Sequence, residues 1–364
     1  MRKLVCKHRL RSQRSHHNRS IKGNEMTSKV NRQIVLTARP DGLPKLTDFK
    51  LIEAAIPALN DGEVLIRNEM FSIDPYQRNL MGNGSSELPP IDIGSPMGGP
   101  TVAIIEQSRN PNFAVGDHVQ SWSGWQEYAV SNGQDIRKLD PELGPLSTAL
   151  GPLGLTGFTA WYGVTKVHAF KPGGTFVVTG AAGAVGSFAA QFMKARGHRV
   201  VGVAGGDAKV AFLKNALGLD EAIDYKAANV EEQVKRALPD GIDSFFENVG
   251  GPVFPVLMEY FNPRAKMTLC GTIADYSNKE LPKGTNYLPR LITLIHYRFI
   301  DIKAFSVPDV LDTFPEFLAE MAPLIKSGKM QYAEEFVDGF AKLPETFLTL
   351  FDGSHSGKKL IVRR

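Results

Sequence analysis

The stretch FVVTGAAGAVGSFAAQ, from Phe176 to Gln191, constrains the fold of this chain more than any other. An apolar β-branched run stops at a glycine-rich turn, and small and apolar residues at helical spacing follow. This is the strand–turn–helix opening of a nucleotide-binding βαβ unit. The dinucleotide fingerprint aligns as Ala181-x-Gly183-x-x-Gly186, with alanine in the first glycine position. Gly183 lets backbone approach a pyrophosphate, and Gly186 lets helix and strand close up. The helix start offers free N–H groups and the positive end of its dipole. A glycine turn that serves packing alone is the competing reading, so the surroundings of the match matter.

Those surroundings repeat the pattern. GTFVVTG, HRVVGVAG, EAIDY, GIDSFFENVG and AKMTLCG read as strands. GAVGSFAAQFMKARG, DAKVAFLKNALG, NVEEQVKRAL and PVFPVLMEYF read as the helices between them. Strands such as TFVVT and RVVGV are apolar on both faces, as buried parallel strands are. Alternating β and α predicts an α/β fold with a doubly wound parallel sheet. Asn229 with Glu232 reads as a capping box. One long helix is expected after FIDIKAFS (299–306), then LPETFLTLFDG and a final strand, KKLIVR.

The second strand of the unit selects the nucleotide. An NAD site places an acid at its end for the ribose diol. Here the strand ends in Ala204-Gly205-Gly206, Asp207 follows, and Lys209 sits on the first helical turn. Small residues leave room for a 2′-phosphate and Lys209 supplies the charge, which favours NADP; Asp207 is alternatively a helix N-cap.

Ahead of this unit, from Ile34 to about Leu139, short strands and Gly/Asn/Asp/Pro turns suggest a partly open β-barrel. Trp122, Trp125 and Tyr128 read there as an aromatic packing cluster. A barrel before a nucleotide domain raises the question of a catalytic zinc, but residues 26–150 contain no Cys and only His118. Without that Lewis acid, hydride addition to an activated C=C bond is the milder chemistry expected, since one donor can stabilise the charge on a carbonyl oxygen. The two cysteines, Cys6 and Cys270, suggest no disulfide framework, which points to a cytoplasmic setting. No apolar run approaches a membrane span. Of 42 Lys/Arg, eight lie in residues 1–25 with one of the 38 Asp/Glu, leaving 34 basic against 37 acidic residues in 26–364. The body is mildly acidic, so no nucleic-acid partner is expected. The leader reads as a disordered tail, a start upstream of Met26, or a transit-like segment.

The segments SIDPYQR, GWQEYAV, GLTGFTAWYGV, GAAGAVGS, VVGVAGGDAKV, FFENVGG, LCGTIADYSN and SGKKLIV together resemble the zinc-free medium-chain reductases, in the leukotriene B4 12-hydroxydehydrogenase / prostaglandin reductase group, with bacterial curcumin reductases most similar. The resemblance covers residues 30–364. It implies a Rossmann domain joined to a GroES-like barrel: leader 1–29, substrate domain 30–153, NADP-binding domain 154–317, and a return to the substrate domain at 318–364. It puts the phosphate turn on Gly183, Ala184, Val185 and Gly186, and the 2′-phosphate on Lys209. It puts the adenosine beside Tyr225, and cofactor contacts on Asn248. The nicotinamide-side loop falls on Cys270, Gly271, Thr272, Ile273 and Tyr276, with a second wall at Phe305, Ser306 and Val307. His355 stands where the group usually has asparagine, and Leu155-Thr156-Gly157 replaces a usual Met-Pro-Gly.

The resemblance implies NADPH-dependent reduction of the C=C bond of α,β-unsaturated ketones and aldehydes, and a homodimer. Tyr276 is the expected donor near the carbonyl oxygen or the ribose, because a phenol stays protonated at neutral pH; its other reading is a loop-capping tyrosine. Tyr76 lines the pocket from the barrel side or packs at a strand end. Cys270 has no His partner and reads as a buried residue rather than a nucleophile. Two rivals remain: a quinone reductase, and an NADPH-binding protein without catalysis.

Overall fold

The computed structural model describes residues 30–82, 88–278, 280, 285–352 and 359–364. The basic leader and His355 lie outside the described residues.

The runs that are apolar on both faces form one parallel sheet. Its strands are β8 (Thr175–Thr179), β9 (Arg199–Ala204), β10 (Glu221–Asp224), β11 (Ile242–Glu247), β12 (Phe261–Leu269) and β13 (Asp301–Ala304), ordered β10-β9-β8-β11-β12-β13. Alternation sends neighbouring side chains to opposite faces. Phe176 and Val178 join one core with Phe158, Trp161, Phe192 and Phe317, while Val177 joins the other with Val234, Leu257 and Leu294. Helices α2 (Leu155–Thr165), α3 (Ala184–Ala195) and α8 (Phe314–Lys326) cover the first face. The second is covered by α5 (Val230–Ala237), α6 (Phe254–Met258) and α7 (Leu288–Arg298). The strand order reverses between β8 and β11, and the carboxyl ends beside such a reversal form the ligand crevice of doubly wound sheets.

The barrel region holds β1 (Val30–Leu36), β2 (Phe49–Ala55), β3 (Val64–Ile73), β4 (Thr101–Ser108), β5 (His118–Ser121), β6 (Tyr128–Ser131) and β7 (Arg137–Lys138). A short helix, α1 (Gln77–Leu80), follows β3. Late in the chain β14 (Glu334–Asp338), α9 (Leu343–Asp352) and β15 (Lys359–Arg363) return to it. The sheet runs β14-β15-β3-β4-β5-β7, with β6 also paired to β3. β15 lies between β14 and β3, parallel to the first and antiparallel to the second. Arg32 of β1 and Arg364 both bind the buried Glu127 carboxylate, at 2.6 and 2.8 Å.

Four details differ from the sequence reading. Asn229 makes no capping bond to the backbone; its Oδ1 accepts from the Gln233 side chain at 2.9 Å, so no capping box forms. Trp122, Trp125 and Tyr128 are not one cluster. Trp122 is 45% exposed, Trp125 packs on Phe49 and Phe347, and Tyr128 lies under the Arg364 guanidinium. Helix α7 was not anticipated. The return expected at residue 318 falls inside α8, whose Phe317, Met321 and Ile325 bury with Trp161 in the nucleotide-domain core.

Candidate active site at the sheet crevice

The quoted turn follows β8 directly. Gly180 takes φ +59°, a left-handed conformation that glycine adopts without strain, so the turn's bend sits one residue before the aligned first position. Ala181 there is fully buried. A Cβ on Gly202 would come within 3.0 Å of the Ala181 Cβ, so this corner is already tight. A Cβ on Gly186 would lie 2.3 Å from the Gly180 carbonyl oxygen, as the close strand–helix approach requires. Helix α3 begins at Ala184, which leaves the N–H groups of Ala184, Val185 and Gly186 without intrahelical acceptors. A cavity beside the start of α3 is lined by Ala182, Ala184 and Ser187, with Gly151, Pro152 and Tyr332 also at its walls. Tyr332 reaches this place from the returning segment, which no local pattern signals.

At the ends of β9 and β10 a cationic corner forms around Lys209, on α4 (Asp207–Ala211). Burial, and then the neighbouring Lys226 ammonium, push the Lys209 amine below its ordinary value. Neither lysine has a carboxylate partner within ion-pair distance among the described residues. The Asp224 carboxylate laces the two loops together, accepting from Gly206 N–H at 2.8 Å and Lys226 N–H at 2.9 Å. A Cβ on Gly205 would meet the Tyr225 ring at 2.8 Å and the Lys226 stem at 3.0 Å, so glycine lets both lie flat on the β9 end. Two ammonium groups without an ion-pair partner among the described residues, beside an aromatic face, have the chemistry to take a 2′-phosphate on an adenosine. The sequence reading names Lys209 and Tyr225 for this role. It missed Lys226, since proximity across two loops leaves no trace in spacing.

The ends of β11, β12 and β13 build the other half. The Asn248 amide donates to Thr179 O at 2.8 Å, and its backbone N–H donates to the Thr179 hydroxyl at 2.8 Å. Cys270 N–H and Gly271 N–H both donate to Glu247 O, at 2.9 and 3.1 Å. Burial pushes the Cys270 thiol up to about 12, which suits an inert thiol rather than a nucleophile. The Tyr276 ring folds back over its own loop: a Cβ on Gly271 would lie 2.8 Å from the phenol oxygen. Burial raises this phenol above its usual value. Phe305 lies against Tyr162 and closes over Gly163, the Ser306 hydroxyl is buried without a partner among the described residues, and Val307 packs on the first-face core.

From the barrel, Tyr76 follows β3. Its hydroxyl is buried without a hydrogen-bond partner among the described residues, and burial keeps it protonated far into the alkaline range. Gly42 lies near Ser277, and Arg78 donates to Gly42 O at 2.7 Å, which joins the Tyr76 segment to the Tyr276 loop. The phosphate turn thus lies centrally, with Lys209 and Tyr225 towards one side and Asn248, Cys270–Tyr276 and Phe305–Val307 towards the other, all beyond carboxyl ends of the parallel strands.

The family described as N-terminal domain of oxidoreductase matches residues 32–139, and the family described as zinc-binding dehydrogenase matches residues 184–322. Among the described residues no group of three His, Cys, Asp or Glu side chains fit to hold a metal occurs. The chain is 39% identical over 332 residues to NADPH-dependent curcumin reductase of Escherichia coli strain K12, covering 91% of this chain and 96% of that protein. It is 35% identical over 339 residues to the NADP(+)-dependent 2-alkenal reductase of Nicotiana tabacum, covering 91% and 97%. The crystal structure of CurA in complex with NADPH from Vibrio vulnificus superposes with a TM-score of 0.87 at 39% identity, covering 91% and 98%. A nucleotide crevice on a doubly wound sheet, a barrel rebuilt by the end of the chain, and relatives matched over nearly their whole length converge: this chain belongs to the medium-chain dehydrogenase/reductase family, in the group that contains curcumin reductase and 2-alkenal reductase.

Proposed function

We propose that this protein is an NADPH-dependent reductase of the C=C bond of α,β-unsaturated ketones and aldehydes. The observation that carries the cofactor reading is the pair Lys209 and Lys226, two neighbouring cations at the ends of β9 and β10 whose ammonium groups make no ion pair among the described residues. The relatives' names supply the reaction class.

When bound, NADPH supplies the hydride. The N–H groups at the start of α3 hold the pyrophosphate, Lys209 and Lys226 hold the 2′-phosphate, and Tyr225 covers the adenosine. Asn248, the Cys270–Tyr276 loop and the Phe305–Val307 segment form the walls beside the nicotinamide. Hydride addition at the substrate β-carbon moves charge onto its carbonyl oxygen, and the α-carbon then takes a proton. The Tyr276 phenol, kept protonated by burial, is placed to donate its O–H to that oxygen. Tyr76 brings a second protonated phenol from the barrel. No step uses a metal.

We also assign the barrel, with its return after α8, as the substrate domain and 154–326 as the nucleotide domain. A homodimer across β13 is supported by its place at the sheet edge and by the exposed Ile292, Tyr297 and Phe299 nearby. A cytoplasmic setting accords with the free Cys270. Among the described residues no helix is long and apolar enough to cross a membrane.

The test is NADPH oxidation with enones, enals, quinones and saturated ketones, with NADH and chelator controls. The expected result is enone turnover with NADPH preference, unchanged by EDTA, and deuterium passing from labelled NADPH to the β-carbon. Quinone turnover without enone turnover, or a label that never reaches the product, would refute it.

A further inference from the structure

One buried acid is unused by the chemistry above. Glu247 is the last residue of β11 and is 1% exposed. Thr179, the last residue of β8, donates its hydroxyl to Glu247 Oε1. That hydrogen bond therefore spans the point where the strand order reverses. The same oxygen accepts from Val249 N–H and from Gly250 N–H, the latter at 2.9 Å. The backbone oxygen of Glu247 holds Cys270 and Gly271 at the end of β12. One residue thus ties together the ends of β8, β11 and β12.

The other carboxyl oxygen, Oε2, is buried without a hydrogen-bond partner among the described residues. Leaving a carboxyl oxygen dry is unfavourable, and packing alone would favour an apolar residue at this place. Burial raises the Glu247 carboxyl above the usual range in spite of its donors. The loop it organises, Asn248 to Gly251, packs on the Tyr276 loop: a Cβ on Gly250 would come within 3.0 Å of Asp275 Oδ2, and one on Gly251 within 3.2 Å of Ala274. A shift in one loop is therefore passed to the other.

We infer that Glu247 is a positioning residue for hydride transfer, its Oε1 clamping the end of β8 to the loop after β11, which packs on the Tyr276 loop, so that the nicotinamide and Tyr276 meet the substrate in one geometry. The inference rests on the NADPH reading above. It predicts that the oxygen acceptor, rather than the charge, is what matters. A displacement near 1 Å at a reacting centre lowers the rate by up to about a hundredfold.

The test compares Glu247→Met, which keeps the shape and removes the acceptor, with Glu247→Gln, which keeps the acceptor. Single-turnover hydride transfer from NADPH to an enone is measured beside the NADPH dissociation constant. Glu247→Met is expected to slow hydride transfer by about tenfold or more, with the dissociation constant changed less than about threefold. Glu247→Gln is expected to restore the rate to within about threefold of wild type. Bound-NADPH fluorescence, which needs no turnover, is expected to differ from wild type in the Met variant and to match it in the Gln variant. Should Glu247→Met fail to fold, Thr179→Val removes one of the three donors and is expected to slow the same step. Wild-type rates in a folded Met variant, a Gln variant as slow as Met, or a Thr179→Val variant with unchanged rate and fluorescence would overturn the assignment. Absence of enone turnover in the wild type would instead refute the proposed function, and the fluorescence comparison would still decide the role of Glu247.

Discussion

Replacing Lys209 by methionine keeps most of the apolar stem and removes the charge. The 2′-phosphate of NADPH loses one charge-assisted contact, and such contacts contribute about 1.5–3 kcal/mol. That range corresponds to roughly a ten- to hundredfold weaker dissociation constant. Lys226 keeps the result at the lower end. It faces the same corner, and its repulsion of Lys209 is relieved when either ammonium is removed. We therefore expect about a ten- to thirtyfold loss for NADPH in Lys209→Met. NADH has no 2′-phosphate and should change less than about twofold. Lys226→Met should behave alike but more weakly, because Lys226 is more exposed and its contact is better screened. Calorimetric titration of both nucleotides at one fixed salt concentration measures this, and repetition at higher salt should shrink the NADPH effect. Equal losses for NADPH and NADH would refute the reasoning, because the lysine would then be supporting the fold of the crevice rather than binding phosphate.

Tyr276→Phe should lower kcat for an enone by about a hundredfold with little change in NADPH affinity. Because burial raises the Tyr276 phenol, wild-type kcat should show no loss from its ionisation up to about pH 9; a decline near neutral pH would contradict its role as donor. Burial alone would raise the Glu127 carboxyl, but Arg32 and Arg364 hold it below the usual range. Its stabilisation is therefore present above the unfolded value of about 4.3 and is lost as pH falls through the lower folded value. Glu127→Gln should flatten that acid limb in denaturant melts. Phe158, fully buried among Trp161, Tyr162, Phe314 and Phe317, should lose about 3–5 kcal/mol of stability on change to alanine, read as a lowered denaturant midpoint.

The parallel sheet was legible because its signal is local: β-branched runs such as TFVVT, buried on both faces, separated by helical spacing. The glycine turn between β8 and α3 and the strand leading to Lys209 belong to one continuous segment, so their placement was legible for the same reason. What escaped depends on distant parts meeting. Lys226 comes up beside Lys209, Glu247 meets Thr179 on another strand, and Tyr332 arrives on a segment that returns late. Helix α7 escaped because the preceding turn-rich residues gave no start signal and its apolar stripe is broken by Tyr297 and exposed Ile292. The aromatic trio misled because closeness in sequence in strand-and-turn structure sends side chains to different faces. The bend at Gly180 escaped because the fingerprint aligns on the glycines of the following helix, not on φ.

The position of β15 between β14 and β3 bears on how a nascent chain matures. The nucleotide sheet is complete once α8 has left the ribosome, but residues 70–73 of β3, beyond the stretch that β6 covers, lack their partner on that side until β15 emerges. During that interval an apolar strand with unpaired backbone is open to other chains, and a barrel closed so late makes the order of synthesis part of the folding problem. Slowing translation over the final stretch, or crowding nascent chains together, should therefore trap the barrel rather than the nucleotide domain.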